Sequence, residues 1–301
     1  MPKDRQRGAN MIKNGMTPLD LLRAWVVERA SDGAAAWFDE QLLKLKSAPT
    51  EKDFHLALGY APRRLGKADL ALAPQELRAA DAARPGWDPG DWSVDQAARI
   101  AMILATFKGD ARVFRDRLET LFRTADVGEL ITFYRGLPLY PGQELHTSRA
   151  REGARSGMRP IFEAVAHRNP YPQEQFDENA WNHMVLKALF IETQLHPIQG
   201  LDRRANPRLM RMLCEYAHER WSAGRPVSPE LWRCVGPHAD EGALADLSRV
   251  LETGGPRERR AAVLALEACP APAAKRLLAR EPHLGDAERR LDWASLARSG
   301  L

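Results

Sequence analysis

Apolar residues recur at three- and four-residue spacing along nearly the whole chain, and the runs start just after capping residues. Thr17-Pro18-Leu19-Asp20 sets a cap, a first-turn proline and an acid ahead of the stripe Leu21, Leu22, Trp25 and Val26. Thr50-Glu51-Lys52-Asp53 opens another helix, Ser93-Val94-Asp95-Gln96 reads as a capping box, and Ser228-Pro229-Glu230-Leu231 repeats the device. Pro89-Gly90, Pro141-Gly142, Asn169-Pro170-Tyr171-Pro172 and Gly254-Gly255-Pro256 interrupt the pattern. The alternation expected of strands is nearly absent. The pattern predicts an all-α chain whose short connections favour antiparallel helix pairs stacked as a HEAT/armadillo-like α-solenoid. Residues 240–301, rich in Ala, Leu and Arg with prolines at turns, are the most HEAT-like part. Residues 1–15 read as a disordered tail, and 16–301 as a single helical domain, since no low-complexity linker divides them.

Composition narrows the classes. The 301 residues carry 44 basic and 40 acidic side chains, intermixed, for a net charge of +4. A nucleic-acid reader would cluster its cations on one face, so no nucleic acid is expected. Three cysteines form no disulfide framework and fit a reducing compartment. The N-terminal segment lacks the apolar core of a secretory signal, and no apolar run reaches a membrane-spanning length. The expectation is a cytoplasmic protein that does not itself span a membrane.

Candidate chemistry concentrates in residues 181–213, where Lys187 is the one polar residue in the otherwise apolar run Met184–Ile191. A helix apolar all round is buried, and a buried ammonium needs a partner. His183 lies one turn earlier on the same face. Two readings stay open: an ion pair of Lys187 with Asp202 or Glu163, or a Lys187/His183 pair facing a ligand. The following loop carries Asp202, Arg203 and Arg204, with Asn206 as an N-cap, Pro207 as a first helical residue and Arg208 beyond it. Arginines around a helix N-terminus suit an anion, phosphate above all. Their plain alternative is local salt bridging at a solvated turn. Arg155, Arg159, His167, Arg168, Asn169 and Tyr171 gather around a stiff proline turn, which is either a holder of side chains or a simple corner. Cys214 with His218 and Cys234 with His238 form two C-x-x-x-H pairs, but their neighbours read as core, so no metal is expected. No glycine-rich phosphate loop, H-E-x-x-H or G-x-S-x-G occurs, and no cofactor is expected.

The strings "WSVDQAARI", "NPYPQEQF", "AWNHMVLKALF", "IQGLDRRANPRLMRML" and "YAHERWSAGRPVSPELW" resemble the EboA-domain family, most densely from Arg155 to Trp232. The resemblance implies a part in making or moving a secondary metabolite, beside partners that include a prenyltransferase-like membrane protein. It brings no catalytic signature. The expected function is therefore a non-catalytic binding or scaffold component that holds an anionic or phosphorylated small molecule, or docks a pathway enzyme. The alternative is an enzyme acting on a phosphorylated polyol or isoprenoid intermediate, with Lys187 or His183 as acid or base.

Overall fold

In the computed structural model the described residues are 15–47, 49–280 and 292–298. The expected tail, apart from Gly15, lies outside them. The described residues contain helices and no strand, with two isolated bridges, Asp69 to Ser93 and His167 to Ile198. The chain is all-α. It divides into two compact units: one runs through Gly153 and adds Arg168–Tyr171, the other holds Ala154–His167 and continues from Pro172. No sequence linker marks this division.

The first unit contains α1 (Pro18–Arg29), α2 (Asp32–Lys46), α3 (Glu51–Leu65), α4 (Pro74–Ala83), α5 (Val94–Ala105), α6 (Ala111–Thr124), α7 (Val127–Arg135) and α8 (Thr147–Gly153). Helix α5 is its axis, contacted by α1, α2, α3 and α7 and buried nearly all round. The one cation in it, Arg99, donates to the Leu58 carbonyl at 3.0 Å and lies 3.6 Å from Glu129 and 3.8 Å from Asp95. Trp25, Trp87 and Trp92 pack beside it with ring centroids 5.5 and 5.9 Å apart.

Three of the four expected helix starts form where the caps place them, at Thr17, Thr50 and Ser93, and two of them carry the full reciprocal pair. Thr17 Oγ1 accepts from the Asp20 N–H at 3.2 Å while Asp20 accepts from the Thr17 N–H at 3.0 Å, and Thr50 and Asp53 repeat this reciprocal pair. At Ser93 half the box forms: Gln96 accepts from the Ser93 N–H, but the Ser93 hydroxyl turns to Asp95 at 2.6 Å. At Ser228 the box is absent, because Glu230 is drawn inward and the segment Pro229–Leu231 is a single 3-10 turn.

The second unit contains α9 (Arg159–Ala166), α11 (Glu178–Phe190), α12 (Pro207–Ser222), α13 (Trp232–Val235), α14 (Glu241–Thr253), α15 (Pro256–Ala268), α16 (Pro272–Arg280) and α17 (Trp293–Arg298). A short α10 (Tyr171–Gln175) starts on the last residue of the first unit. Helix α15 packs on α13, α14, α16 and α17, and its approach to the 3-10 turn Gly236–His238 is very close. A Cβ on Gly236 would stand 2.2 Å from the Ala265 carbonyl oxygen, so only glycine fits there. The core of this unit is Trp181, Trp232, Leu213, Leu231, Leu247 and Leu266.

Candidate functional site

Helix α11 is not buried all round. Trp181, Asn182, Val185, Ala188 and Leu189 face the core, whereas His183 and Phe190 are exposed and Lys187 is half-exposed. The apolar run misleads because Phe190, 55% exposed, packs edge-on against Tyr216 at the surface, 5.0 Å between centroids. The ion-pair reading, one of the two left open for Lys187, is not met. Among the described residues Lys187 makes no ion pair, and both carboxylates named for it are engaged elsewhere. Asp202 takes Arg233 through two bonds of 2.6 Å. Glu163 accepts from Arg159 at 2.7 Å and from the Thr193 hydroxyl. Burial works to raise the Glu163 pKa, but those two bonds outweigh it and hold the carboxyl low. His183 Nδ1 sits 2.8 Å from the Asn179 carbonyl of its own helix.

The arginine loop is equally occupied. Arg204 stacks 4.6 Å over the Trp181 ring and donates to the Pro172 and Gln173 carbonyls at 3.0 and 3.1 Å. Burial lowers its pKa. Arg203 donates to the Gln173 side chain, and Arg208 to Asn179 at 3.1 Å. Asn206 caps α12 as expected, accepting from the Leu209 N–H at 2.8 Å, and is locked by a reciprocal pair with buried Asn182 at 2.8 and 3.2 Å. The loop is thus a hydrogen-bonded joint between α10, α11 and α12.

Asn169 and Tyr171 belong to the first unit. Both are buried: Asn169 donates to the Tyr134 carbonyl at 3.2 Å and accepts from the Tyr171 N–H at 3.0 Å, while the Tyr171 hydroxyl donates to the Gln143 carbonyl. Burial pushes the Tyr171 hydroxyl up to about 12. Arg155 is exposed. All three cysteines are buried thiols, and burial pushes both Cys214 and Cys234 up to about 12. His218 turns to Asp246 at 2.7 Å and His238 to the Ala205 carbonyl at 2.9 Å. Among the described residues no three His, Cys, Asp and Glu side chains converge as metal ligands.

A cleft of about 350 Å³ opens instead beside the C-terminal end of α11. Three segments of the second unit form its inner walls: Leu189–Gln194, the α12 face carrying Tyr216 and Arg220, and Pro226–Glu230. Arg257 of α15 and Leu296 and Ala297 of α17 complete it. Leu189, Val227 and Leu296 give it apolar sides. Tyr216 is anchored by its hydroxyl to the Leu189 carbonyl at 3.2 Å.

Four charged side chains line this cleft, Glu192, Arg220, Glu230 and Arg257, and none of them stood out in the sequence as a site. Glu230 is buried, and its carboxylate accepts from the Leu195 and His196 N–H groups at 3.1 and 2.6 Å. Burial raises its pKa against the pull of those two bonds. Arg220 donates from Nε to the Pro226 carbonyl at 3.0 Å, which fixes the plane of the guanidinium. Its Nη atoms make no hydrogen bond among the described residues; the nearest carboxylate, Glu192, is 3.8 Å away and itself 68% exposed.

Glu192 is where the backbone is forced. Helix α11 ends with the Thr193 N–H bonding to the Ala188 carbonyl at 3.0 Å and the Glu192 N–H to Leu189 at 3.2 Å. This is the double bond of a Schellman ending, whose left-handed position is normally glycine. Here it is Glu192, at φ +54°. A sequence signal existed in the missing glycine after a helix of evident length.

A family model described as metabolite traffic protein EboA matches residues 18–236, well over half of the chain. Comparison with curated proteins and with solved structures finds no match. The inner walls of the cleft, Leu189 to Glu230, fall within the matched residues, whereas Arg257, Leu296 and Ala297 fall beyond them. The helical body, and the strings from Trp92 to Trp232 that its caps, turns and cleft walls occupy, are those of the EboA family, and the chain belongs to it.

Proposed function

We propose that the protein is a non-catalytic binding component of metabolite traffic, and that it holds in this cleft a small molecule with an apolar body and an anionic group. The observation that carries the reading is Arg220: a guanidinium oriented through Nε, with unbonded Nη atoms, on the wall of a cleft with apolar sides. Pockets of about 300–1,000 Å³ with a few fixed polar groups are the usual form of a small-ligand site. Strain at Glu192 supports the reading, since forced backbone persists where a side chain has a task. That carboxylate, exposed and loosely set, screens the Arg220 charge until an anion replaces it.

The cleft is favoured over the Arg203, Arg204 and Arg208 loop, whose guanidinium groups already bond to Gln173, Pro172 and Asn179. Binding rather than catalysis is favoured because Glu230 is held by two backbone amides and the Lys187/His183 pair lies on the outer face of α11. Among the described residues no helix is long and apolar enough to cross a membrane. In this reading the protein works in the cytoplasm and passes its ligand to a membrane-embedded partner. The HEAT-like reading of residues 240–301 belongs to the same proposal, with α15, packed between α14 and α16, as a stacked outer wall. Mass spectrometry of small molecules retained by the purified protein tests it. A retained anion, lost when Val227→Trp fills the cleft, is the expected result; retention unchanged in that variant would contradict it.

A further inference from the structure

The cleft has a wall that the family-matched residues do not supply. Leu296 of α17 is 1% exposed and lines the cavity, with Ala297 beside it. A six-residue helix would not hold its position alone. Here two side chains of the cleft itself fix it: Gln194 donates to the Ala297 carbonyl at 2.8 Å and Arg257 to the Leu296 carbonyl at 2.5 Å. Those bonds satisfy carbonyls in the last turn of α17, which no further helical turn within the described residues would satisfy. The wall is therefore pinned at its backbone, and Leu296 is presented from a fixed point.

Pinning matters for selectivity. A mobile wall yields to a longer ligand, whereas a fixed leucine stops it, because forcing extra methylenes into packed surroundings is unfavourable. Arg220 and Leu296 come from different elements, α12 and α17, and both line the same cavity. Leu189 and Val227 give the same cavity its other apolar sides.

Resting on the reading of the cleft as an anion-headed ligand site, we infer that Leu296 is the specificity-determining residue that sets how long an apolar chain the protein accepts. The ligand class is an alkyl phosphate or carboxylate of limited length. Leu296, with Ala297 and Arg257, lies beyond the matched residues 18–236, whereas Gln194, which helps to pin it, lies within them.

The test is calorimetric titration of straight-chain alkyl phosphates, butyl to dodecyl, into the full chain and into Leu296→Ala, Leu296→Met and Leu296→Trp. In the wild type affinity rises about fourfold per methylene while apolar wall remains, then stops rising. Leu296→Ala should move that break to a longer chain, by about the carbons removed, and Leu296→Trp to a shorter one. Leu296→Met, similar in volume, should fold like the wild type and keep the break, which separates a length effect from lost stability. A break unmoved in both Leu296→Ala and Leu296→Trp, with binding intact, overturns this inference alone. Failure of every alkyl phosphate to bind the wild type overturns the ligand reading and this inference with it.

Discussion

Glu192 and His146 show how much a single residue can carry. The Glu192 backbone sits at φ +54° where glycine would be unstrained. Glu192→Gly should therefore raise stability by about 1 kcal/mol, the usual size of this relief. The gain would be read as a higher melting temperature. The same change removes the carboxylate 3.8 Å from Arg220, so anion affinity should rise rather than fall. A melting temperature below that of the wild type would show that the strain has been misread.

His146 of the first unit is buried against Phe114 and Tyr140, with Nε2 3.0 Å from the Pro141 carbonyl. Burial lowers its pKa and outweighs the upward pull of the Pro141 bond, Glu119 and Glu144, with Arg115 adding to the downward side. The unfolded chain then takes up a proton near pH 6.5 that the folded chain still refuses. This contribution to stability is fully present above about pH 6.5 and is lost as pH falls below it toward the folded value. His146→Phe should be less stable at neutral pH, because the Pro141 carbonyl loses its donor, by about 1–3 kcal/mol. Its stability should also fall less between neutral and mildly acid pH. Melting curves across that range check both; parallel pH profiles would contradict the assignment.

At the scale of elements, much was legible because helix starts are local chemistry. Thr17 with Asp20, Thr50 with Asp53, and Asn206 with Leu209 need only residues three apart, and all three caps form. The burial expected around Lys187 failed for a related reason: spacing assigns residues to a face but does not say which face meets the core. Leu186 and Phe190 share the outer side of α11 with Lys187 and His183, and nothing in an apolar run announces that. The capping reading of Ser228 failed because Glu230 satisfies amides at Leu195 and His196, more than thirty residues upstream. Such tertiary claims on a side chain are invisible to a local pattern. The contact of Gly236 with α15 is of the same long-range kind. Gly236→Ala drives a Cβ to 2.2 Å from the backbone oxygen of Ala265, which cannot move as a side chain can. It should cost about 1–3 kcal/mol or more, read by chemical denaturation. A variant as stable as the wild type would mean that α15 has room to withdraw.

The whole molecule explains why the cleft was missed. Its walls come from residues 189–194, 216–230, 257 and 296–297, so no window of sequence contains the site. Arg220 lies inside a string that marked the family, yet beside Glu219 and Trp221 it reads as an ordinary helix surface. The family match ends at residue 236, but the second unit does not: α15 packs on α13 and on the turn at Gly236. A chain cut after Gly236 would uncover Trp232 and Val235, both buried in the full chain. It should melt with lost cooperativity and bind an apolar-surface dye; a sharp transition like that of the full chain would mean that the C-terminal helices are an appendage.

Whether an anion is held at Arg220 is read by titrating octyl phosphate into the wild type and into Arg220→Met. The methionine keeps the apolar stem while removing the charge, and octanol in parallel reports the apolar contribution alone. The wild type should prefer octyl phosphate to octanol by about tenfold or more, the effect of about 1.5–3 kcal/mol for a charge-assisted bond. In Arg220→Met that preference should vanish while octanol binding and melting temperature stay close to the wild type. Equal binding of octyl phosphate to both proteins would mean that Arg220 holds no anion.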